Sequence, residues 1–304
     1  MSKSPLPSKP PVKVWIGSDF HYERLGANYG LVEFKDDIPA DAPYDYLMIA
    51  GDLNWSSNVA GTLAAIYRRT KVPILYTPGN HEFWDGRKLG ADFGEQLAHM
   101  RSECAELEGV TFLYNDGFDV PGTNSSIFMS PWFTNLSDYD EQDYWVMEDG
   151  KAVRRTGVPP QSYIQDCIGD YERTYGSGKN RLTAEDHIRM NKEAIHALGT
   201  WLETDVLNKG RIPIIGTHFG PSKLSAHGNF PERDIVASYF NTDYLDKSSY
   251  IWPPGTTWVH GHTHWNVDYI HPTTGVRVVT NQFGYKGETE TNESYEFMKH
   301  IEVY

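Results

Sequence analysis

Ile74-Leu75-Tyr76-Thr77-Pro78-Gly79-Asn80-His81-Glu82 is the stretch from which the rest of the chain is read. Its β-branched and aromatic start predicts a short buried strand, and Pro78-Gly79 predicts a sharp turn at the strand's end. Gly79 lets the backbone come close to whatever sits there. Past the turn the chain offers a carboxamide, an imidazole and a carboxylate in succession. On an isolated loop these are ordinary solvated groups, so their meaning depends on where the other Asp and His residues fall.

Working outward, other strands end in the same way. Val12–Gly17 reads as a strand delivering Asp19 and His21, and Tyr46–Ala50 as one ending in Gly51-Asp52-Leu53-Asn54-Trp55. Val59, Leu63, Ile66 and Tyr67 then share a helix face, as do Leu89, Phe93, Leu97, Met100 and Cys104 after the quoted strand. Short strands are expected over 110–114, 118–120 and 126–130. Over 131–181 the pattern dissolves into an aromatic and acidic segment, an insertion read either as a cap over a site or as a packing or dimer surface. Thr183 and Asp186 carry the spacing of a capping box, opening a helix with Ile188, Ile195, Leu198 and Leu202 inward. Ile212–Thr217 delivers His218, and a strand over 256–259 delivers His260-Gly261-His262-Thr263-His264. Residues 267–270 and 276–280 read as a hairpin, and 301–304 as a closing edge strand. Strand–helix repeats with polar strand ends indicate a layered α/β fold that binds its ligand beyond the strands' carboxyl ends.

A chain of 304 residues is long enough to bury a large core, and one domain is expected, preceded by a polar, Pro-rich tail over 1–11. The formal charge of −14, from 41 acidic against 27 basic residues, argues against a nucleic-acid partner. It leaves phosphate chemistry open, because bound divalent cations reverse the sign of a local site. Two cysteines, Cys104 and Cys167, give no disulfide framework and suit a reducing compartment. With neither a signal-peptide core nor an apolar run of spanning length, the expectation is a soluble cytoplasmic protein without a membrane partner.

Five strand ends thus deliver metal-capable residues: Asp19 with His21, Asp52, Asn80 with His81, His218, and His262 with His264. If Asp-x-His and His-x-His are extended, alternation points both members of each pair to one side. Carboxylate, carboxamide and imidazole donors together suit Mn, Fe or Zn. The set exceeds what one ion needs, so two divalent ions are expected. Such a pair lowers the pKa of a bridging water, grips a phosphate oxygen and leaves hydroxide placed for in-line attack.

Asp19-x-His21, Gly51-Asp52, Gly79-Asn80-His81-Glu82, Thr217-His218 and Gly261-His262-x-His264 resemble the ordered blocks of the calcineurin-like metallophosphoesterases. That resemblance implies a four-layer αββα sandwich with a dinuclear centre. It assigns Asp19, His21 and His264 to one ion, Asn80, His218 and His262 to the other, and Asp52 to both. His81 would be the transition-state donor to the phosphate or leaving-group oxygen. Many members carry an orienting Asp three residues after the bridging one; here Trp55 stands there. Ser56-Ser57 replaces the Arg-Gly of the phosphoprotein phosphatases, which points away from that branch. Glu82 reads as structural, and His260 as a core or supporting histidine. Trp55, Phe83, Trp84 and Trp265 follow ligand residues and are candidates to stack on a substrate, while Asn281 to Tyr285 either returns to the rim or forms a plain turn. His99, His187, His196, His227, His271 and His300 are expected on the surface or in packing. The expected activity is hydrolysis of a small-molecule or nucleotide phosphomonoester or phosphodiester. The alternatives are a nuclease-like phosphodiesterase and a non-catalytic metal-binding scaffold.

Overall fold

Alternation along the strands explains why this chain has two sheets. In β1 (Val12–Gly17), Val14 and Ile16 point into one core while Trp15 points into another. The same division separates Met48 from Leu47 and Ile49 in β2 (Tyr46–Ala50), and Leu75 from Ile74 and Tyr76 in β3 (Ile74–Thr77). A strand apolar on both faces must be covered on both. In this computed structural model, which describes residues 10–25, 37–40, 43–136, 144–155, 160–227 and 236–304, one face meets a second sheet and the other meets helices.

The first sheet has the order β13-β1-β2-β3-β4, with β4 at Val110–Phe112 and β13 at His300–Val303. All its pairings are parallel except that of β13 with β1. The second sheet has the order β11-β12-β10-β9-β6-β5. Its strands are β5 (Asp116–Asp119), β6 (Ser125–Ser130), β9 (Ile212–Thr217), β10 (Thr257–His260), β11 (Asp268–Ile270) and β12 (Arg277–Thr280). Met48, Leu75, Ile127, Met129, Ile214, Val259 and Val279 fill the layer between the sheets. Helices Ser56–Thr70 and Phe93–Ala105 cover the first sheet, and Ala184–Trp201 covers β5 and β6 of the second. This is the expected αββα arrangement, with the 267–280 hairpin and the edge strand in place.

Three local expectations are corrected. The helix read through Leu89 to Cys104 is two: Gly86–Leu89 stops at Gly90, where φ is 67°, and Phe93–Ala105 restarts from the Asp92–Glu95 capping box. The long helix does begin at the Thr183–Asp186 capping box and buries Leu198 as expected, but its other buried apolar residues are Ala184, Met190, Ala194 and Trp201, with Ile188 and Ile195 on the flanks. Asn191 is buried on the same face and donates to the Phe133 carbonyl at 2.6 Å. Leu202 is buried but lies in the following π-helical turn. Third, the 131–181 segment does not wholly leave the core, because Trp132, Phe133, Ile164 and Tyr171 are buried in the outer core. It also carries a ribbon of β7 (Tyr144–Glu148) and β8 (Lys151–Arg155). Most of the proline-rich tail and the stretches 137–143 and 156–159 lie outside the described residues. Among the described residues, no helix is long and apolar enough to cross a membrane.

Candidate metal centre

The strand ends converge through left-handed turns. Asp19, His21, Asp52, His262 and His264 have φ of 59°, 47°, 52°, 70° and 48°, a region L-residues enter at a cost of about 1–3 kcal/mol and that clusters at functional sites. Asp-x-His and His-x-His therefore face one place because each member turns back on itself, and strand alternation is not the cause. Hydrogen bonds hold the turns together: Asp19 N–H donates to the Gly51 carbonyl at 3.1 Å and His21 N–H to that of Asp52 at 2.9 Å. His262 N–H donates to the Asp19 carboxylate at 3.0 Å. A Cβ at Gly79 would lie 2.2 Å from Asp52 Oδ1, and one at Gly51 2.6 Å from the Gly79 nitrogen. These two glycines are what let the Asp52 and Asn80 loops touch.

Glu82 fastens the same loops. Its fully buried carboxylate accepts from the backbone N–H of Asp52 at 3.1 Å, Leu53 at 2.7 Å and Gly79 at 2.6 Å. Glu82→Ala leaves those donors unpaired at about 1–3 kcal/mol each before relaxation. It is expected to lower unfolding stability by about 3–5 kcal/mol, read from denaturant melts of the metal-free protein; a change below 1 kcal/mol would contradict this role.

Three sets of ligand atoms each lie within 4.8 Å of one another: Asp19 with His21 and His264, His21 with Asp52 and His81, and Asp52 with His218 and His262. Asp52 belongs to two sides at once. Its Oδ1 is 3.2 Å from His218 Nε2 and its Oδ2 is 3.8 Å from His21 Nε2. Asn80 Oδ1 is 2.9 Å from His218 Nε2. The Nδ1 atoms are held elsewhere: His21 by Glu23 at 3.1 Å, His218 by the Ala50 carbonyl at 2.8 Å and His264 by Glu288 at 2.6 Å. That arrangement turns Nε2 inward and is the usual support of a ligating histidine. His21 and His264 bring their Nε2 atoms to 3.0 Å of each other, and the buried Nε2 of His262 has no hydrogen-bond partner among the described residues. Facing ring nitrogens and carboxylates fit cations between them.

Electrostatics point the same way. Burial lowers His218 and His264, but Asp52 and the Ala50 carbonyl on one side, and Asp19 and Glu288 on the other, outweigh it and push them up to about 9 and about 10. Burial raises the Asp19 carboxyl, yet His264, His218 and His21 hold it well below the usual range. The carboxylates thus favour positive charge on His218 and His264, while burial, then the His218 charge, holds His262 well below its ordinary range.

His81 lies beside this centre, and its orienting carboxylate is Glu23. Glu23 Oε1 accepts from His81 Nδ1 at 2.8 Å, from the short 3-10 turn that follows His21. Trp55 does not leave His81 without support; the acid has moved to another loop. The Tyr285 hydroxyl is 3.3 Å from His81 Nε2, and Arg24 covers the Tyr285 ring at 3.8 Å. Burial, then Asp52, pushes the phenol up, so it keeps its proton and donates. Burial, then the His21 and Arg24 charges, holds the His81 imidazole well below its ordinary range.

A cavity of about 560 Å³ opens from these side chains and is lined by Asp52, Asn80, His81 and Trp84 on one side and by Phe240 and His262 on the other. Trp84 stacks on His81 with ring centroids 3.4 Å apart. The turn His81–Phe83 is 3-10, so residues three apart share a face. Trp84 therefore joins His81, and Phe83 turns away to stack on Phe93 in the core. Phe83, Trp55 and Trp265 do not line the cavity: the Trp55 ring sits under Lys88, and Trp265 lies against His227. His227 itself faces the cavity. His260 is fully buried, donates Nδ1–H to the Gly261 carbonyl at 2.9 Å and is lowered to about 4 by burial. Asn281 to Tyr285 does return to the rim, where Gln282 accepts from His264 N–H at 2.6 Å.

The residues that the sequence reading passed over are Glu23, Asp170, Tyr285 as a partner of His81, and Glu288. Glu23 carried a signal, since it extends Asp19-x-His21 by one more alternate position. The others are distant in sequence from every ligand block.

Residues 12–266 match the family model of the calcineurin-like phosphoesterases. The chain is 23% identical over 298 residues to an uncharacterized protein, L509, of Acanthamoeba polyphaga mimivirus, covering 92% of this chain and 94% of that one. Among solved structures, a phosphopantetheinyl hydrolase from Mycobacterium tuberculosis is 17% identical with a TM-score of 0.65, over 97% of this chain and 96% of the other. A dimetal phosphatase from Danio rerio is 12% identical with a TM-score of 0.47, over 90% and 87%. The phosphopantetheinyl hydrolase shares the fold.

Proposed function

The chain belongs to the calcineurin-like phosphoesterase family, and on that footing we propose that it hydrolyses a phosphomonoester or phosphodiester of a small molecule or nucleotide with two divalent cations. The observation that carries this reading is Asp52, whose two oxygens face separate sets of ligands. Asp19, His21 and His264 would hold one cation, Asn80, His218 and His262 the other, and Asp52 both. When bound, the pair supplies an activated water as nucleophile and draws charge from the phosphoryl oxygens.

The chain's own groups do the rest. His81 holds Nδ1–H on Glu23 and turns Nε2 to the cavity, where an incoming phosphoester adds negative charge and favours the imidazolium. In that state Nε2–H donates to the leaving-group oxygen. Trp84 and Tyr285 fix the ring from two sides. The bounded cavity and the −14 charge favour a small substrate over a nucleic-acid end.

The test is a side-by-side assay of aromatic phosphate monoesters and diesters, nucleotides and a phosphopantetheinyl diester, with Mn added or chelated. Hydrolysis that requires added metal supports the reading; none on any substrate, with metal bound, sinks it. Elemental analysis of the purified protein distinguishes Mn, Fe and Zn.

A pH dependence follows. Because His218 and His264 sit above their unfolded value of 6.5, their protonation stabilises the metal-free fold below pH ~6.5 and is lost as pH rises through about 9 and about 10. Cations must displace those protons. Metal binding near pH 7 is expected to release about two protons per chain and to tighten as pH rises. Calorimetry in buffers of different ionisation enthalpy reads the number directly, and no release would contradict ligation by both histidines.

A further inference from the structure

One carboxylate from outside the ligand loops sits against the second cation's ligands. Asp170 opens the short helix Asp170–Arg173, in the segment between β6 and Ala184–Trp201, and is 2% exposed. Its Oδ1 accepts from Asn80 Nδ2 at 3.0 Å and from the Trp84 indole N–H at 2.7 Å, and its Oδ2 accepts from the Tyr239 hydroxyl. The two ends of a carboxamide have nearly the same shape, but only the oxygen ligates a divalent cation. Asp170 Oδ1 already accepts from the Trp84 indole and is turned to Asn80 as an acceptor, so the nitrogen end of Asn80 faces it. The oxygen is thereby left towards the site, beside His218.

The same carboxylate reaches two more parts of the centre. Trp84, held by Oδ1, is the ring stacked on His81, and Arg173 covers it at 4.1 Å. Tyr239, held by Oδ2, packs its ring 5.2 Å from that of His262. A rearrangement of the 168–173 backbone would therefore disturb Asn80, the wall of His81 and the neighbour of His262 together.

We infer that Asp170 is a positioning residue for the second cation, turning the Asn80 oxygen into the site and tying occupancy there to the placement of the Asp170–Arg173 helix. This rests on the two-cation reading above. Asp170→Leu keeps the branched outline at larger volume and removes the acceptor, Asp170→Ala removes it and leaves room for water, and Asp170→Asn keeps an oxygen for Asn80 and Trp84 while its NH2 meets the Tyr239 oxygen. Each folded variant is titrated with Mn²⁺ by calorimetry, with bound metal counted by elemental analysis and melting followed with and without Mn²⁺.

Wild type is expected to bind two ions. In Asp170→Leu or Asp170→Ala the affinity for one of them falls by about 10- to 100-fold, the range for groups that orient a ligand, and Asp170→Asn restores most of it. A residue that only packed would lower melting equally with and without Mn²⁺ and leave both affinities as they were; that result overturns the inference. Failure of the wild type to bind a second ion removes the two-cation premise itself, and the two failures are separated by the wild-type titration.

Discussion

Asp52→Asn is expected to lower kcat by about a thousandfold or more, because several kcal/mol of charge stabilisation depend on both cations being held together, at about 1.4 kcal/mol per tenfold. Asp52 is the side chain whose two oxygens face different ligand sets, and its Oδ1 also accepts the His81 backbone N–H at 3.0 Å. An amide keeps one acceptor, so the turn that presents His81 survives. The other oxygen becomes an NH2, which offers a cation no lone pair and repels it. Bound metal should fall in parallel, while far-UV dichroism and melting stay near wild type. Near-wild-type turnover in this variant, with both metals still bound, would sink the proposed mechanism.

His81→Ala is expected to cost about 10²- to 10⁴-fold in kcat, the range for positioned proton transfer, with a smaller change in metal content. Glu23 gives this prediction its sharper form. If Glu23 acts through His81, Glu23→Ala slows the enzyme severalfold to a hundredfold in the presence of His81 and much less in its absence, a non-additivity that a double-mutant cycle measures. Part of the Glu23 effect should persist, because the same oxygen also holds His21 Nδ1 at 3.1 Å. Full additivity of the two substitutions would show that Glu23 serves only the His21 side. A loss below tenfold in His81→Ala would mean that the metals do nearly all the work.

These two residues also show how far the sequence could be read. Asp52 was legible because it ends a β-rich run at Gly51, and because equivalent strand ends recur at Asp19, Asn80, His218 and His262. Glu82 was read as structural, and its hydrogen bonds to Asp52, Leu53 and Gly79 give that role its content. What orients His81 stays open in the sequence. A search three residues after Asp52 finds Trp55, while the acid that serves comes from the loop after β1. Its place one alternate position beyond Asp19-x-His21 is the one local signal of Glu23, and its contact with His81 forms only when the loops of β1, β2 and β3 are brought together. The aromatic candidates divided for a related reason. Phe83 and Trp84 are adjacent, and only the 3-10 turn decides that Trp84 faces the cavity and Phe83 the core.

The sequence by itself determined the strands of the two main sheets, though not the β7–β8 ribbon, and which Asp, Asn and His residues stand at their ends. Those are properties of residue type and spacing, and they survive any modest shift of the backbone. Tertiary structure decided how the ends meet, through left-handed turns at Asp19, His21, Asp52, His262 and His264 and the close approach of Gly51 to Gly79. It also chose the supporting acids, Glu23, Glu288 and Asp170, each on an element remote from the nitrogen it holds. A hydrogen bond depends on a few tenths of an ångström and on direction, and loops distant in sequence acquire that precision only when the two sheets pack.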